Sequence, residues 1–149
     1  MSELLPSSSM FHININIFPY LWPYCLDMLK PAMERDDWSY TPELLHKAVK
    51  ENKMQLWVVG DDAGFVKSSI ITEIKTRPIG KVLVARYLGG VDAELWIKYA
   101  NDVLKKFAKD HDCVKIEAYG RLGWRKMAKL SGWKEKSILF QLDLDFNVH

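Results

Sequence analysis

Residues 87–96 read YLGGVDAELW, and the division of this stretch among strand, turn and helix decides the architecture of the chain. Tyr87 and Leu88 close a strand-like run that begins at Lys81, and Gly89 and Gly90 stop it. From Ala93 onward, Trp96, Ile97, Ala100, Val103, Leu104 and Phe107 recur at helical spacing and make a wide apolar stripe. A strand therefore runs into a helix through two glycines. Such a turn can cradle a phosphate on free backbone N–H groups, because the positive end of the helix dipole lies there. An acidic cap can fill the same place, and Asp92 stands at the N-cap position with Glu94 in the first turn.

Upstream of this stretch, residues 54–59 and 65–75 read as two strands joined by the turn signal GDDAG, residues 60–64. Arg77, Pro78 and Ile79 turn the chain again into the strand from Lys81, which predicts a three-stranded antiparallel meander. Thr41 followed by Pro42 is a cap followed by an N1 proline, and Leu44, Leu45, Ala48 and Val49 carry a helix toward Asn52. In FHININIF, residues 11–18, Phe11, Ile13, Ile15 and Ile17 alternate with His12, Asn14 and Asn16, predicting a strand with one buried face. Pro23 opens a helix that is expected to be short or kinked, because Pro31 removes a backbone donor.

Downstream, the long helix ends near Asp110, and residues 113–119 form a strand with Val114, Ile116 and Ala118 on one side and Lys115, Glu117 and Tyr119 on the other. RLGWRKMAKLSGW, residues 121–133, is a helix closed by Gly132 at the position a left-handed C-cap prefers. WKEKSILFQLDLDF, residues 133–146, is a last strand. The expected order is βααβββαβαβ, an α/β (α+β mixed) fold of about six strands in a mixed sheet with helices on both faces. Residues 1–149 are expected to form a single domain, with 1–10 as an N-terminal extension.

A chain of 149 residues that is 48% hydrophobic and 27% charged suits one domain with a real core. Its formal net charge of +2 is too small to argue for nucleic acid or a membrane surface. Cys25 and Cys113 have no metal or redox spacing and read as reduced thiols, and His12, His46, His111 and His149 are scattered, so no metal is expected. No basic leader and no membrane-length apolar segment is present, which suits a soluble cytoplasmic product.

The element order, the glycines at one strand-to-helix turn and the late helix ending LSGW resemble the GNAT acyltransferase fold over roughly residues 10–145. The phrase EAYGRLGWRKMAKLSGWKEK, residues 117–136, is more particularly similar to the GNAT-like proteins encoded by tailed bacteriophages, where a Gly-Arg-x-Gly-Trp segment precedes that helix. The resemblance implies acetyl-CoA or another acyl-CoA lying where two parallel strands part, here the strands at 81–88 and 113–119. Its pantetheine arm would pair with backbone near Tyr87 and Leu88, and Gly89, Gly90 and Val91 would offer N–H groups to its pyrophosphate.

Against the family pattern, the usual turn Q/R-x-x-G-x-G/A is replaced by G-G-V-D. As a cap, Asp92 would take the donors a pyrophosphate needs, and a like charge nearby costs roughly 1 kcal/mol in solvent and several in a partly buried cleft. Many relatives carry a tyrosine, as acid for the departing thiolate, four residues before the closing glycine; here that residue is Ala128. The strand at 81–88 holds no carboxylate or histidine, which leaves Glu117 as the candidate catalytic base, or else as an exposed carboxylate paired with Lys115 or another surface charge. Arg121, Arg125 and Lys129 make one basic side of the last helix, which reads either as a solvated face or as a seat for phosphate or an acidic protein.

Two readings follow. As an enzyme, the protein would transfer an acetyl or other short acyl group from acyl-CoA to an amine acceptor. As a non-catalytic phage-encoded relative, it would be a virion component or bind a host protein. Nucleic acid comes a distant third, no membrane partner is implied, and self-association is compatible with either main reading.

Overall fold

The structure, a computed structural model, describes residues 8–144. They belong to two compact units, Met1–Tyr119 and Gly120–His149. In the first, the alternating runs and their Gly and Pro punctuation produce β2 (Gln55–Asp61), β3 (Val66–Arg77) and β4 (Gly80–Gly90), the predicted meander. β1 (Ser8–Ile13) adds antiparallel to β2, and β5 (Cys113–Ala118) adds parallel to β4, giving one mixed sheet in the order β1-β2-β3-β4-β5.

Helices cover both faces of this sheet, and side-chain alternation divides the core in two. α1 (Trp22–Arg35) and α2 (Pro42–Lys50) bury Leu29, Met33, Leu45 and Val49 against Leu56, Val58, Ile71 and Tyr87. On the opposite face, α3 (Ala93–Asp110) buries Trp96, Ala100, Leu104 and Ala108 against Met10, Trp57, Val59, Ile70 and Leu83. α2 starts as its sequence predicts: the Thr41 hydroxyl accepts the Leu44 N–H at 3.1 Å and Pro42 occupies the first turn.

Three expectations need correction. The first strand ends at Ile13, and Phe11 and Ile17 are exposed while Met10 and Ile15 are buried. Asparagine side chains compete with the ladder there: Asn14 Oδ1 accepts the Asn16 N–H, and the Asn14 carbonyl accepts those of Ile17 and Phe18. Of the two forms expected for the helix at Pro23, the short one does not hold: α1 runs past Pro31 to Arg35, the proline lying on an exposed side while Leu29 and Met33, wholly buried, hold the helix to the sheet. The last strand is not assigned anywhere in residues 133–144. The alternation of Ile138, Phe140, Leu142 and Leu144 says which side chains share a face, but it supplies no ladder partner. Residues 145 and 146 of that expected strand, like 1–7 of the expected extension, lie outside the described residues.

The second unit holds a single turn of 3-10 helix at Leu122–Trp124 and α4 (Arg125–Leu130). α4 closes as expected: Gly132 has φ +93°, the Trp133 N–H reaches the Ala128 carbonyl at 2.9 Å, and the Gly132 N–H reaches Lys129 at 3.3 Å. No helix among the described residues is long and apolar enough to cross a membrane.

Candidate functional site

β4 and β5 pair from Lys81 opposite Cys113 to Ala85 opposite Ala118, and one further bond joins the Tyr119 N–H to the Ala85 carbonyl at 3.3 Å. β4 then continues to Gly90, beyond the last residue of β5. At the same point the ladder with β3 slips: Ala85 faces Thr72 and Tyr87 faces Ile71, so Arg86 is an extra, bulged residue. The strand thus loses its β5 partner and changes register within two residues.

The turn that follows is fixed from two sides. A Cβ on Gly89 would lie 1.7 Å from the Met28 carbonyl oxygen, so helix α1 passes directly over a position open only to glycine. Gly90, at φ +130°, would bring a Cβ to 2.2 Å from the Lys67 carbonyl. The Ser68 hydroxyl donates to the Gly89 carbonyl at 2.6 Å, the Val91 N–H donates to the Lys67 carbonyl at 2.9 Å, and the Trp96 indole N–H donates to the Val91 carbonyl at 2.9 Å. The N–H of Val91, expected to face a pyrophosphate, is thus bonded within the fold.

Asp92 does not cap the helix with its side chain. It is left-handed, at φ 58° and ψ 34°, and makes no side-chain cap bond. A capping carboxylate needs extended backbone to reach the N2 and N3 amides, and the left-handed residue turns it away. Its carboxylate lies 3.5 Å from Lys67 Nζ, which also stands 3.8 Å from Asp61. The Leu95 N–H reaches the Asp92 carbonyl at 2.9 Å. By helix geometry the amides of Ala93 and Glu94 have no intrahelical acceptor. The donors at this helix end are therefore not consumed by an acid, and the charge of Asp92 is partly offset by Lys67.

Glu117 lies on β5 opposite Val84, one residue before the ladder ends. Arg77 Nη1 donates to its Oε1 at 2.6 Å and Lys115 Nζ lies 3.2 Å from Oε2. The bond from Arg77, with Lys115 adding to it, holds the carboxyl below the usual glutamate range. A group whose folded pKa is depressed stabilises the fold above its unfolded pKa and loses that contribution as pH falls through the folded value. Arg77→Ala is therefore expected to move the Glu117 titration upward toward the ordinary value. The side-chain carboxyl shift followed by NMR against pH reads this, and an unmoved titration would refute the assignment.

Sequence reading missed the group beside the bulge. Asp36 follows α1, and Asp37 and Trp38 after it are both left-handed, at φ 52° and 54°. Two such residues in succession cost about 1 kcal/mol each. Arg86 Nη2 donates to Asp36 Oδ2 at 2.8 Å, and the Tyr87 hydroxyl donates to the same oxygen at 2.7 Å. The Arg86 guanidinium also lies over the rings of Tyr119, Tyr87 and Tyr40, at 5.3, 5.5 and 5.9 Å. Burial, and then the bond to Asp36, pushes the Tyr87 hydroxyl up to about 12, so at neutral pH it remains a donor. Nothing periodic marks these residues, because packing of α1 on β4 brings them together across the chain. The left-handed Asp37-Trp38 pair after a helix end is the nearest local signal.

In the second unit, Arg125 is matched by a two-pronged pair with Glu135, at 2.6 and 2.9 Å, and Arg121 lies 6.0 Å from the Trp124 ring. Of the expected basic side, Arg125 is thus already neutralised by a neighbour. Among the described residues, no group of three His, Cys, Asp or Glu side chains is placed to hold a metal ion.

No protein-family model matches the chain. No curated protein matches it in sequence. Solved structures do match in fold. A probable acetyltransferase superposes with a TM-score of 0.66 at 11% identity, covering 95% of this chain and 99% of that one. The aminoglycoside 6'-N-acetyltransferase AAC(6')-Ih from Acinetobacter baumannii gives 0.66 at 11% identity, with 94% and 99% covered. The aminoglycoside N-acetyltransferase AAC(6')-Iy, in complex with CoA, gives 0.69 at 10% identity, with 93% and 95% covered. With a mixed sheet whose β4 outruns its parallel neighbour at a glycine turn, this chain has the fold of the GNAT acetyltransferases.

Proposed function

We propose that the protein is an acyl-CoA-dependent N-acyltransferase that moves an acetyl or other short acyl group onto an amine. The observation that carries this reading is the start of α3, where Asp92 turns its carboxylate onto Lys67 and leaves the first amides clear of an acidic cap. That is the end of the fold where a pyrophosphate is favoured by the helix dipole. Bound acyl-CoA would supply the activated acyl group. Tyr87 and Leu88 would present backbone to the pantetheine arm beyond the last β5 pair, and Gly89 and Gly90 would shape the turn. The amides of Ala93 and Glu94 are better placed for the pyrophosphate than the bonded amide of Val91. Glu117 would receive the amine proton through water, after release from Arg77.

Calorimetry with acetyl-CoA and with CoA tests this. The expected result is saturable binding with a dissociation constant below about 1 mM, or roughly −4 kcal/mol. Asp92→Asn should tighten it, since Asn also tolerates the left-handed turn and removes a negative charge. Absence of heat at that concentration would reject the reading.

A second reading is favoured by the lock on Glu117 and by Ala128 at the position of the family's tyrosine. In it the protein is a non-catalytic GNAT-fold relative, phage-encoded, acting as a virion component or a binder of a host protein. It predicts no acyl-CoA binding, and the same titration separates the two.

A further inference from the structure

A groove of about 370 Å³ opens beside the turn between α1 and α2, lined by Ser39, Tyr40, Lys47, Glu51, Lys53 and Glu73 among others. Three of its four charges are matched: Glu51 and Lys53 lie 3.3 Å from each other, and Glu73 lies 3.4 Å from Lys75. Lys47 has no counter-ion among the described residues. Tyr40 connects this groove to Arg86, since its ring also lies under the guanidinium.

Arg86 itself is under-used. A guanidinium carries five N–H donors in a planar fork. Among the described residues, Asp36 takes a bond from Nη2 and Tyr87 bonds the guanidinium as well, which leaves the rest of the five donors without a side-chain acceptor. The tyrosine rings and Asp36 hold the group in one place, with 17% of the side chain left exposed. The bulge puts it where β4 leaves β5.

We infer that Arg86, with the groove reached through Tyr40, binds an oxyanion, carboxylate or phosphate monoester, carried by a small amine. Resting on the acyl-transfer reading, that amine is the acceptor, which makes the acceptor anionic and not polycationic. The two-pronged geometry of a guanidinium with either oxyanion supplies the recognition. Asp36 acts as an internal competitor for the same fork.

Direct binding to the full-length protein, without acyl-CoA, tests this apart from catalysis. Matched pairs differ in one group: β-alanine against its amide, and 2-aminoethyl phosphate against 2-aminoethanol. Each anion is expected to bind about tenfold more tightly than its neutral partner, the size of one good charge-assisted contact. The better of the two anions identifies the group. Arg86→Gln should abolish the difference. Asp36→Asn, which keeps Arg86 and frees its fork, should raise affinity for the anion several-fold, and it carries the test if Arg86→Gln does not fold. Equal binding within each pair, no binding at about 10 mM, stronger binding of spermidine, or a loss of anion affinity in Asp36→Asn would each overturn the inference. A parallel acetyl-CoA titration shows whether the acyl-transfer reading stands or falls separately.

Discussion

Gly89→Ala is expected to destabilise the protein by at least about 3 kcal/mol, beyond the usual range for adding one methyl group to a packed interior. The new Cβ would sit 1.7 Å from the Met28 carbonyl oxygen and 2.5 Å from its carbon. Both are backbone atoms in the middle of a 14-residue helix, so no rotamer change relieves the overlap. Either α1 lifts from β4 or β4 bends away from β3, and each movement disturbs packing around Leu29 and Tyr87. Gly60→Ala is the control. There the added carbon would meet the Phe65 carbonyl oxygen at an ordinary 3.5 Å, and a change within about 0.5 kcal/mol is expected. Denaturant midpoints at unchanged slope measure both. Similar costs at the two positions would mean that α1 does not approach β4 as described.

Trp96→Ala should cost about 3–5 kcal/mol, the range for deleting a buried large aromatic side chain. Trp96 is 1% exposed and packs within the core beneath α3, and its indole N–H reaches back to the Val91 carbonyl. The residue therefore joins the helix to the turn that precedes it. Trp96→Phe separates these roles by keeping most of the ring and removing the donor, with an expected cost of about 1–2 kcal/mol. Amide exchange at Val91 should quicken in Trp96→Phe more than at Leu104, deeper along the helix. Uniform exchange in both places would show that the indole bond does not anchor the turn.

The parts legible in the sequence were those that local physics specifies. The Thr41-Pro42 start, the glycine punctuation of the meander, the stripe of α3 and the Gly132 close all depend on residues within a few positions of one another. The misreadings arose where local rules compete. At residues 11–17, apolar alternation pointed to a strand, but Asn14 offered the backbone another partner. At Pro31, helix-breaking chemistry was outweighed by the burial of Leu29 and Met33 on either side. At Asp92, residue type predicted a cap while the backbone took a conformation in which that residue cannot cap. The group of Asp36, Arg86 and Tyr87 lay beyond local reading, since it exists only once α1 has docked on the sheet.

The slip at Arg86 also divides β4 into two halves of opposite parity. Before it, odd-numbered Leu83 points toward α3; after it, odd-numbered Tyr87 points toward α1. Counted without Arg86, the side chains of β4 alternate in unbroken sequence, and Ala85 and Tyr87 meet consecutive residues of β3. The core therefore does not require this residue. Arg86 is the one position in the strand that could be spliced out without moving any other side chain to the wrong face. Its presence lengthens the strand by a unit that the alternation of the core side chains does not account for.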